Sequence, residues 1–208
     1  MEIIKNILDL NKAISNIKNL GYVPTMGGLH EGHLSLIKKS KKKCKKTIVS
    51  IFVNPTQFNS NEDFKKYPRN LNRDIKILKK LEIDFLFIPT KKDIYKKKRN
   101  KKIKLNNNEK ILCAIYRKGH FEGVLDVMDR LLHLIHAKYV FMGKKDYQQI
   151  FLIKKFIKNK HKSKIIECNT VRDKNKAALS SRNFLLNKKN YIKAGLIAKY
   201  FIKFKNLN

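Results

Sequence analysis

The stretch Gly21–Ser40, GYVPTMGGLHEGHLSLIKKS, leads from an apolar run through a proline and paired glycines to two histidines three residues apart. The run before Met26 has the length of a strand, and Leu34–Lys43 carries apolar residues at helical spacing. Strand, glycine turn and helix in that order make the opening of a βα unit. With a helix following Glu31, His30 and His33 share one side of its first turn. The unpaired N–H groups and the dipole of a helix N-terminus favour an anion there. Gly27, Gly28 and Gly32 remove side chains, which lets phosphate oxygens approach the backbone. The imidazoles add donors that can strengthen as charge grows on a phosphate. The stretch is therefore predicted to grip a nucleotide phosphate. Two plainer readings compete: capping or surface histidines, and a zinc site. The second is weak, because HEGH lacks the HExxH spacing and no third ligand stands nearby. No dedicated metal site is expected.

Outward from this stretch, strand and helix patterns alternate. EIIK reads as a short strand and Asp9–Leu20 as a helix with Leu10, Ala13, Ile14 and Ile17 on one face. TIVSIFV is a continuous apolar run of the kind buried on both faces of a parallel sheet. Asn70–Leu81 reads as a helix, IDFLFIP as a strand, and Val124–Ile135 as a strong helix. KYVFMG is a strand, Gln148–Asn159 a helix and SKIIECNTV a last strand. Lys96–Asn108, KKKRNKKIKLNNN, is a low-complexity loop or weak hairpin. The alternation predicts an α/β fold: a Rossmann-like, doubly wound, mostly parallel sheet. Such sheets bind ligands beyond the carboxyl ends of their strands. PTMGGLHEGH, VNPTQF, GKKDYQQ and VRDKNKAALSSRN all fall near those ends, so they are expected to form one site.

The 208 residues allow one full domain and a small second one. No apolar run reaches the ~18 residues of a membrane span, and MEIIKNILDL lacks the parts of a signal peptide. Cys44, Cys113 and Cys168 form no CxxC pair, which suits reduced thiols and a cytoplasmic protein. The net charge of +33 invites a nucleic-acid partner. Yet only 7 of the 49 basic residues are Arg, the residue favoured for bidentate phosphate recognition. The lysines are spread along the chain, and abundant Asn and Ile suggest A/T-rich codons. No nucleic-acid or membrane partner is expected.

An HxGH motif after a glycine loop resembles the signature of the nucleotidyl-transferase superfamily, which includes class I aminoacyl-tRNA synthetases. The longer VPTMGGLHEGH is followed in order by SIFVNPTQF, YPR, GHFEGV, KDYQQ and LSSRN, spanning about residues 1 to 186. That ordered set resembles the pantothenate synthetases. The resemblance implies ATP-dependent condensation of pantoate with β-alanine, through a pantoyl adenylate, with release of AMP and pyrophosphate. It implies that Met26, Gly27, Gly28, Leu29, His30, Glu31, Gly32 and His33 line the ATP site. His33 is then the proton donor, and His30 gives a supporting phosphate contact. Gly143, Lys144, Lys145 and Asp146 would also belong to the ATP site. So would Val171, through backbone contact with adenine, and the Leu179, Ser180, Ser181 and Arg182 segment. Gln57 and Gln149 would bind pantoate, with Gln57 also near β-alanine. ATP is a substrate, Mg²⁺ is expected with its phosphates, and a homodimer is implied.

The sequence departs from the family pattern in places. Lys144 replaces an acidic residue, and either the pocket's charge balance changes or Lys144 points to solvent. Lys118 stands where proline is usual, and Glu122 where a basic or small residue is common. Residues 1–171 are expected to form the ATP- and pantoate-binding domain. Residues 172–208 would be the start or remnant of a C-terminal lid domain, and a lid of that length is expected to close less fully over the site. Two alternatives stay open at this point: another HxGH nucleotidyl transferase, or a basic nucleic-acid-binding protein on the same fold.

Overall fold

A computed structural model describes residues 1–96 and 102–205. Strand β1 (Glu2–Ile4) leads into helix α1 (Ile7–Ile14), whose first turn is capped by Asn6, its side chain accepting the Asp9 N–H at 2.9 Å. The helix predicted over Asp9–Leu20 thus starts earlier and ends six residues sooner. Its predicted tail is used elsewhere. The Asn19 carbonyl accepts the N–H groups of Lys45 and Lys46, and Leu20 opens strand β2 (Leu20–Thr25) opposite Lys46.

Helix α2 (Glu31–Lys43) comes next, then β3 (Lys46–Ile51), the short α3 (Asn61–Lys66) and α4 (Leu71–Lys80). Strand β4 (Phe85–Phe87) precedes α5 (Lys91–Tyr95) and α6 (Cys113–Tyr116). Helix α7 (His120–Ile135), β5 (Tyr139–Gly143), α8 (Tyr147–Ile157), β6 (Lys164–Cys168) and α9 (Lys188–Lys205) complete the order. Helices α3 and α5 escape apolar periodicity because caps carry them. Ser60 accepts the Asp63 N–H, and Thr90 and Asp93 form a reciprocal capping box. Of the predicted Lys96–Asn108 loop, residues 97–101 lie outside the described residues. Residues 102–106 are irregular and lead into a 3₁₀ turn at Asn107–Glu109.

Among the described residues the sheet has six strands, all parallel, in the order β1-β4-β3-β2-β5-β6. Both faces are covered, as an all-parallel sheet requires. On β2, Tyr22 joins the core of α1, α7 and α8, while the next residue, Val23, joins the opposite core with Ile37 and Leu78. Hydroxyls in this dry layer satisfy one another: Tyr22 with Ser50 at 2.8 Å and Thr47 with Ser40 at 2.9 Å.

The order reverses direction between β2 and β5. Strand β2 pairs with β3 over six residues but with β5 only at Gly21–Tyr139 and Tyr22–Val140. Past Tyr22 the two central strands have no ladder between them. A crevice at this switch point is where doubly wound sheets bind their ligands.

Candidate active site

The loop between β2 and α2 lies at that crevice, and it is occupied by the protein itself. Gly27 and Gly28 take φ of 77° and 62°, a region that costs other residues strain. A Cβ on Gly27 would stand 3.0 Å from Asp74 Oδ2, and one on Gly28 3.0 Å from the Pro68 carbonyl. The buried Asp74 of α4 accepts the Gly28 N–H at 2.8 Å and the Leu29 N–H at 2.9 Å. On the other side, Ser181 donates its hydroxyl to the Gly28 carbonyl at 2.9 Å. Thr25 Oγ1 accepts the Gly27 N–H. The glycines therefore admit Asp74, Pro68 and Ser181. The expectation that these backbone N–H groups are open to phosphate is corrected, because a carboxylate 46 residues away already holds one of them.

The two imidazoles stand where this loop enters α2. His30 is the N-cap of α2 and accepts the Gly32 N–H on Nδ1 at 3.1 Å. His33 accepts the His30 N–H on its own Nδ1 at 3.4 Å. A Cβ at position 32 would come 2.8 Å from the His30 ring, so glycine is needed between the two histidines. With both Nδ1 atoms accepting, each neutral ring carries its hydrogen on Nε2. The ring centroids are 4.1 Å apart, and both rings line the cavity.

Burial is the main reason that the His30 pKa falls to about 4, with the Lys145 ammonium adding to it. For His33, burial, then His30, then Lys145 bring it down to about 3. Both rings are therefore neutral at neutral pH in the ligand-free chain. Since both folded pKa values lie below the usual 6.5, the unfolded chain binds more protons in acid. The stability that these rings contribute is complete above about pH 6.5 and is lost as the pH falls towards 4 and then 3. We expect urea midpoints to drop between pH 7 and pH 5, and to drop less in the His30→Gln, His33→Gln double variant. Equal drops in the two proteins would show that the rings do not carry this linkage.

A second group is built at the end of β3. Asn54, almost fully buried, accepts from Thr56 N–H and from the Tyr95 hydroxyl on Oδ1. Its amide donates to Gln57 Oε1 at 3.1 Å. That bond fixes which way the Gln57 amide faces, so its NH₂ is the end left to donate, here towards Met26 Sδ at 3.2 Å. The Gln57 carbonyl accepts from His120 Nδ1 at 2.6 Å, which places the hydrogen of His120 on that nitrogen. Burial, reinforced by Arg117 and Arg182, lowers the His120 pKa. Helix α7 comes so close to this turn that a Cβ on Gly123 would meet the Thr56 carbonyl oxygen at 2.4 Å.

The far wall comes from β5 and beyond. Gly143, Lys145, Asp146 and Gln149 line the same cavity, with Lys145 donating to Asp146 at 2.7 Å. Val171, Leu179, Ser180, Ser181 and Arg182 line it as well. Arg182 is held by Asp63, through Nε at 3.2 Å and Nη2 at 2.8 Å, and lies over the Tyr67 ring.

Of the residues expected at the nucleotide, Gly27, Gly28, Leu29, Glu31 and Lys144 do not line the cavity. Leu29 is a core residue, and Glu31 is exposed in the first turn of α2. Lys144 is exposed and acts on Glu167 outside, so the choice left open by the sequence falls to solvent. Asp63, Asp74 and Arg117 lie outside the motifs of the sequence, and the motifs that hold Asn54 and His120 do not show what those two side chains do. YPR and GHFEGV stand out as motifs, but the contacts that use them span distant parts of the chain.

Residues 2–207 match the family described as pantoate-beta-alanine ligase. A pantothenate synthetase from Pseudothermotoga lettingae is 42% identical over 191 residues, covering 90% of this chain and 68% of that protein. A pantoate-beta-alanine ligase from Francisella tularensis, solved with beta-gamma ATP and beta-alanine, superposes with a TM-score of 0.91. It is 43% identical, and the match covers 96% of this chain and 78% of that one. The pantothenate synthetase of Thermus thermophilus gives 0.89 at 31% identity, over 96% of this chain and 72% of that one. With residues 2–207 matched, and with the family's motifs gathered at one switch-point cavity, this chain belongs to the pantoate-beta-alanine ligase family.

Proposed function

We propose that the cavity activates the carboxylate of pantoate with ATP and then passes the acyl group to β-alanine. The carboxylate oxygen attacks the α-phosphorus and pyrophosphate leaves. The amine then attacks the acyl carbon, and AMP leaves with the anhydride oxygen. Both nucleophiles belong to the substrates, so no serine or cysteine nucleophile is needed. The protein's part is alignment, charge stabilisation and exclusion of water. Alignment alone can supply on the order of 7–11 kcal/mol. The product class, a carbon–nitrogen ligase forming pantothenate, is that of the family to which the chain belongs. The two alternatives raised by the sequence, another HxGH transferase and a nucleic-acid-binding protein, are not favoured.

The observation that carries the assignment of roles is the meeting of two imidazoles and two glutamine amides in one cavity. His30 and His33 offer Nε2–H donors to the triphosphate, while Gln57 and Gln149 face the acid. A neutral amide can bond hydroxyl and carboxylate groups without neutralising the nucleophile as a cation would. His33 is read as a hydrogen-bond donor rather than a standing acid. Negative phosphate charge beside both rings would favour their charged forms, so proton donation follows ATP binding. Lys145 and Arg182 would face phosphate charge. Asp146, the cavity's one carboxylate among the described residues, suits a magnesium ion that arrives with ATP and keeps most of its water.

Residues 172–205 stand outside the sheet and are read as a separate unit carrying the Ser180–Arg182 loop and α9. A homodimer and a cytoplasmic place are carried over from the family resemblance; the free thiols of Cys44, Cys113 and Cys168 suit the second. Among the described residues, no helix is long and apolar enough to cross a membrane.

The deciding experiment supplies the purified chain with ATP, Mg²⁺ and pantoate, with and without β-alanine, and follows AMP and pantothenate. AMP formation that ignores pantoate would overturn the reading. For Gln57→Ala, the KM for pantoate is expected to rise about tenfold or more, as loss of a hydrogen bond to a charged group implies, with the KM for ATP within about twofold. Asn54→Ala should shift pantoate in the same direction, because it frees the Gln57 amide to turn. Equal loss of both affinities would contradict this division of roles.

A further inference from the structure

Outside the residues that line the cavity, α7 and the segment after α8 bring together three potential ligands. Asp129 and His133 lie four residues apart on α7, one turn of the helix, and His161 follows the end of α8. His161 Nε2 is 2.7 Å from Asp129 Oδ1, and His133 Nδ1 is 3.7 Å from the same oxygen. One nitrogen or oxygen atom from each of the three lies within 4.8 Å of the other two. The Asp129 and His161 side chains are only 5% and 7% exposed, whereas that of His133 is 62% exposed.

We propose that Asp129, His133 and His161 bind one divalent transition-metal ion of the zinc class. Zinc sits about 2.0–2.2 Å from nitrogen and carboxylate oxygen, so tetrahedral ligand atoms lie about 3.4 Å apart. The measured spacings straddle that value, and small rotations close the difference. The exposed His133 ring is the one able to turn, leaving its present 2.7 Å contact with the Asp129 carbonyl. At 2.7 Å the His161–Asp129 contact now holds a hydrogen, and the ion takes that place. His161 then ligates through Nε2 as a neutral ring with its hydrogen on Nδ1. Two imidazoles and one carboxylate suit zinc or its neighbours, whereas magnesium and calcium prefer all-oxygen sets. Solvent fills the remaining position.

Nearby lysines weaken the local field less than their number suggests. Lys158, Lys160 and Lys162 are exposed and screened, and Lys160 lies over the Phe156 ring. None of the three ligands lines the cavity, although Val127, Met128 and Leu131 of the same helix do. Along α7, Asp129 and His133 are about 14 and 20 Å from His120. The ion's effect would be mechanical. The ion ties α7, which backs the Pro55–Gln57 turn, to the end of α8, which carries Gln149.

The test titrates chelator-stripped protein with CoCl₂ by calorimetry and records the Co(II) absorption, in wild type, His133→Ala and His161→Gln. The expected result is one ion per chain, a melting point raised by about 5 °C at saturation, and Kd at least about tenfold weaker in each variant. His133 is exposed, so His133→Ala should fold normally and decides the matter even if His161→Gln does not. Fewer than about half an equivalent bound would overturn the proposal. So would unchanged affinity in His133→Ala, which would place the ion at other histidines or at Cys113.

Discussion

His33→Ala is expected to lower the rate of pantoate-dependent pyrophosphate release by about 10²-fold or more, while the chain keeps its fold. Removing one pre-aimed donor from developing phosphate charge typically costs about 10²–10³ in rate. Here the loss extends beyond a single donor. His33 Nδ1 accepts the His30 N–H, and that contact closes the reciprocal cap at the start of α2. Without it, the first helical turn loosens beneath His30. The control is His30→Ala, which removes the other Nε2–H and the Gly32 N–H contact. It is expected to give a loss of the same sign, and the double variant should lose less than the product of the two, because the rings act as a unit. Near wild-type pyrophosphate release from His33→Ala would remove the ring from the chemistry altogether.

Asp74→Ala is expected to destabilise the chain by about 3 kcal/mol and to reduce adenylation about as severely as loss of a histidine. Two buried N–H groups, on Gly28 and Leu29, lose their acceptor, and each unsatisfied buried donor costs about 1–3 kcal/mol. The loop they belong to has left-handed glycines and leads directly into His30. Asp74 touches neither the histidines nor the cavity, so it acts through the loop. Asp74→Asn separates charge from shape: its oxygen can accept one N–H, while its NH₂ faces the other. We expect an intermediate loss in both urea midpoint and turnover. Wild-type turnover in a stable Asp74→Ala protein would mean that the loop keeps its shape unaided.

The parallel sheet was legible because β3 and β4 are short apolar runs buried on both faces, and because helical spacing marks α2, α4, α7 and α8. His30, His33, Gln57, Lys145, Asp146 and Gln149 were legible through their motifs, and the cavity brings them together. What the glycines admit was not legible. Local sequence shows that a close approach happens at Gly27 and Gly28 but not what approaches. Asp74 and Ser181 come from 46 and 153 residues away. For the same reason Asn54 looks like a turn residue in the sequence, although its side chain sets the direction of Gln57. The end of α1 is illegible for a different cause. Apolar residues such as Ile17 and Leu20 continue the helical spacing, but the backbone of Asn19 and Leu20 is claimed by β3.

The sheet order also constrains how the chain can assemble as it is synthesised. Among the described residues β1 is at one edge and pairs only with β4, Glu2 opposite Phe85, so this early strand stays unpaired until β4 has been made. Ile4 and Leu10, both buried in the finished protein, must wait in the open through that interval. β2 and β3 are closer in sequence and can meet sooner, which makes them the natural seed on which β4 and then β1 are laid. Growth on the other side must wait for β5, since β2 and β5 are separated by most of the chain between them. The crevice that becomes the candidate active site is therefore the seam where the later half of the sheet is joined to the earlier one. Its two walls cannot face each other until both halves exist.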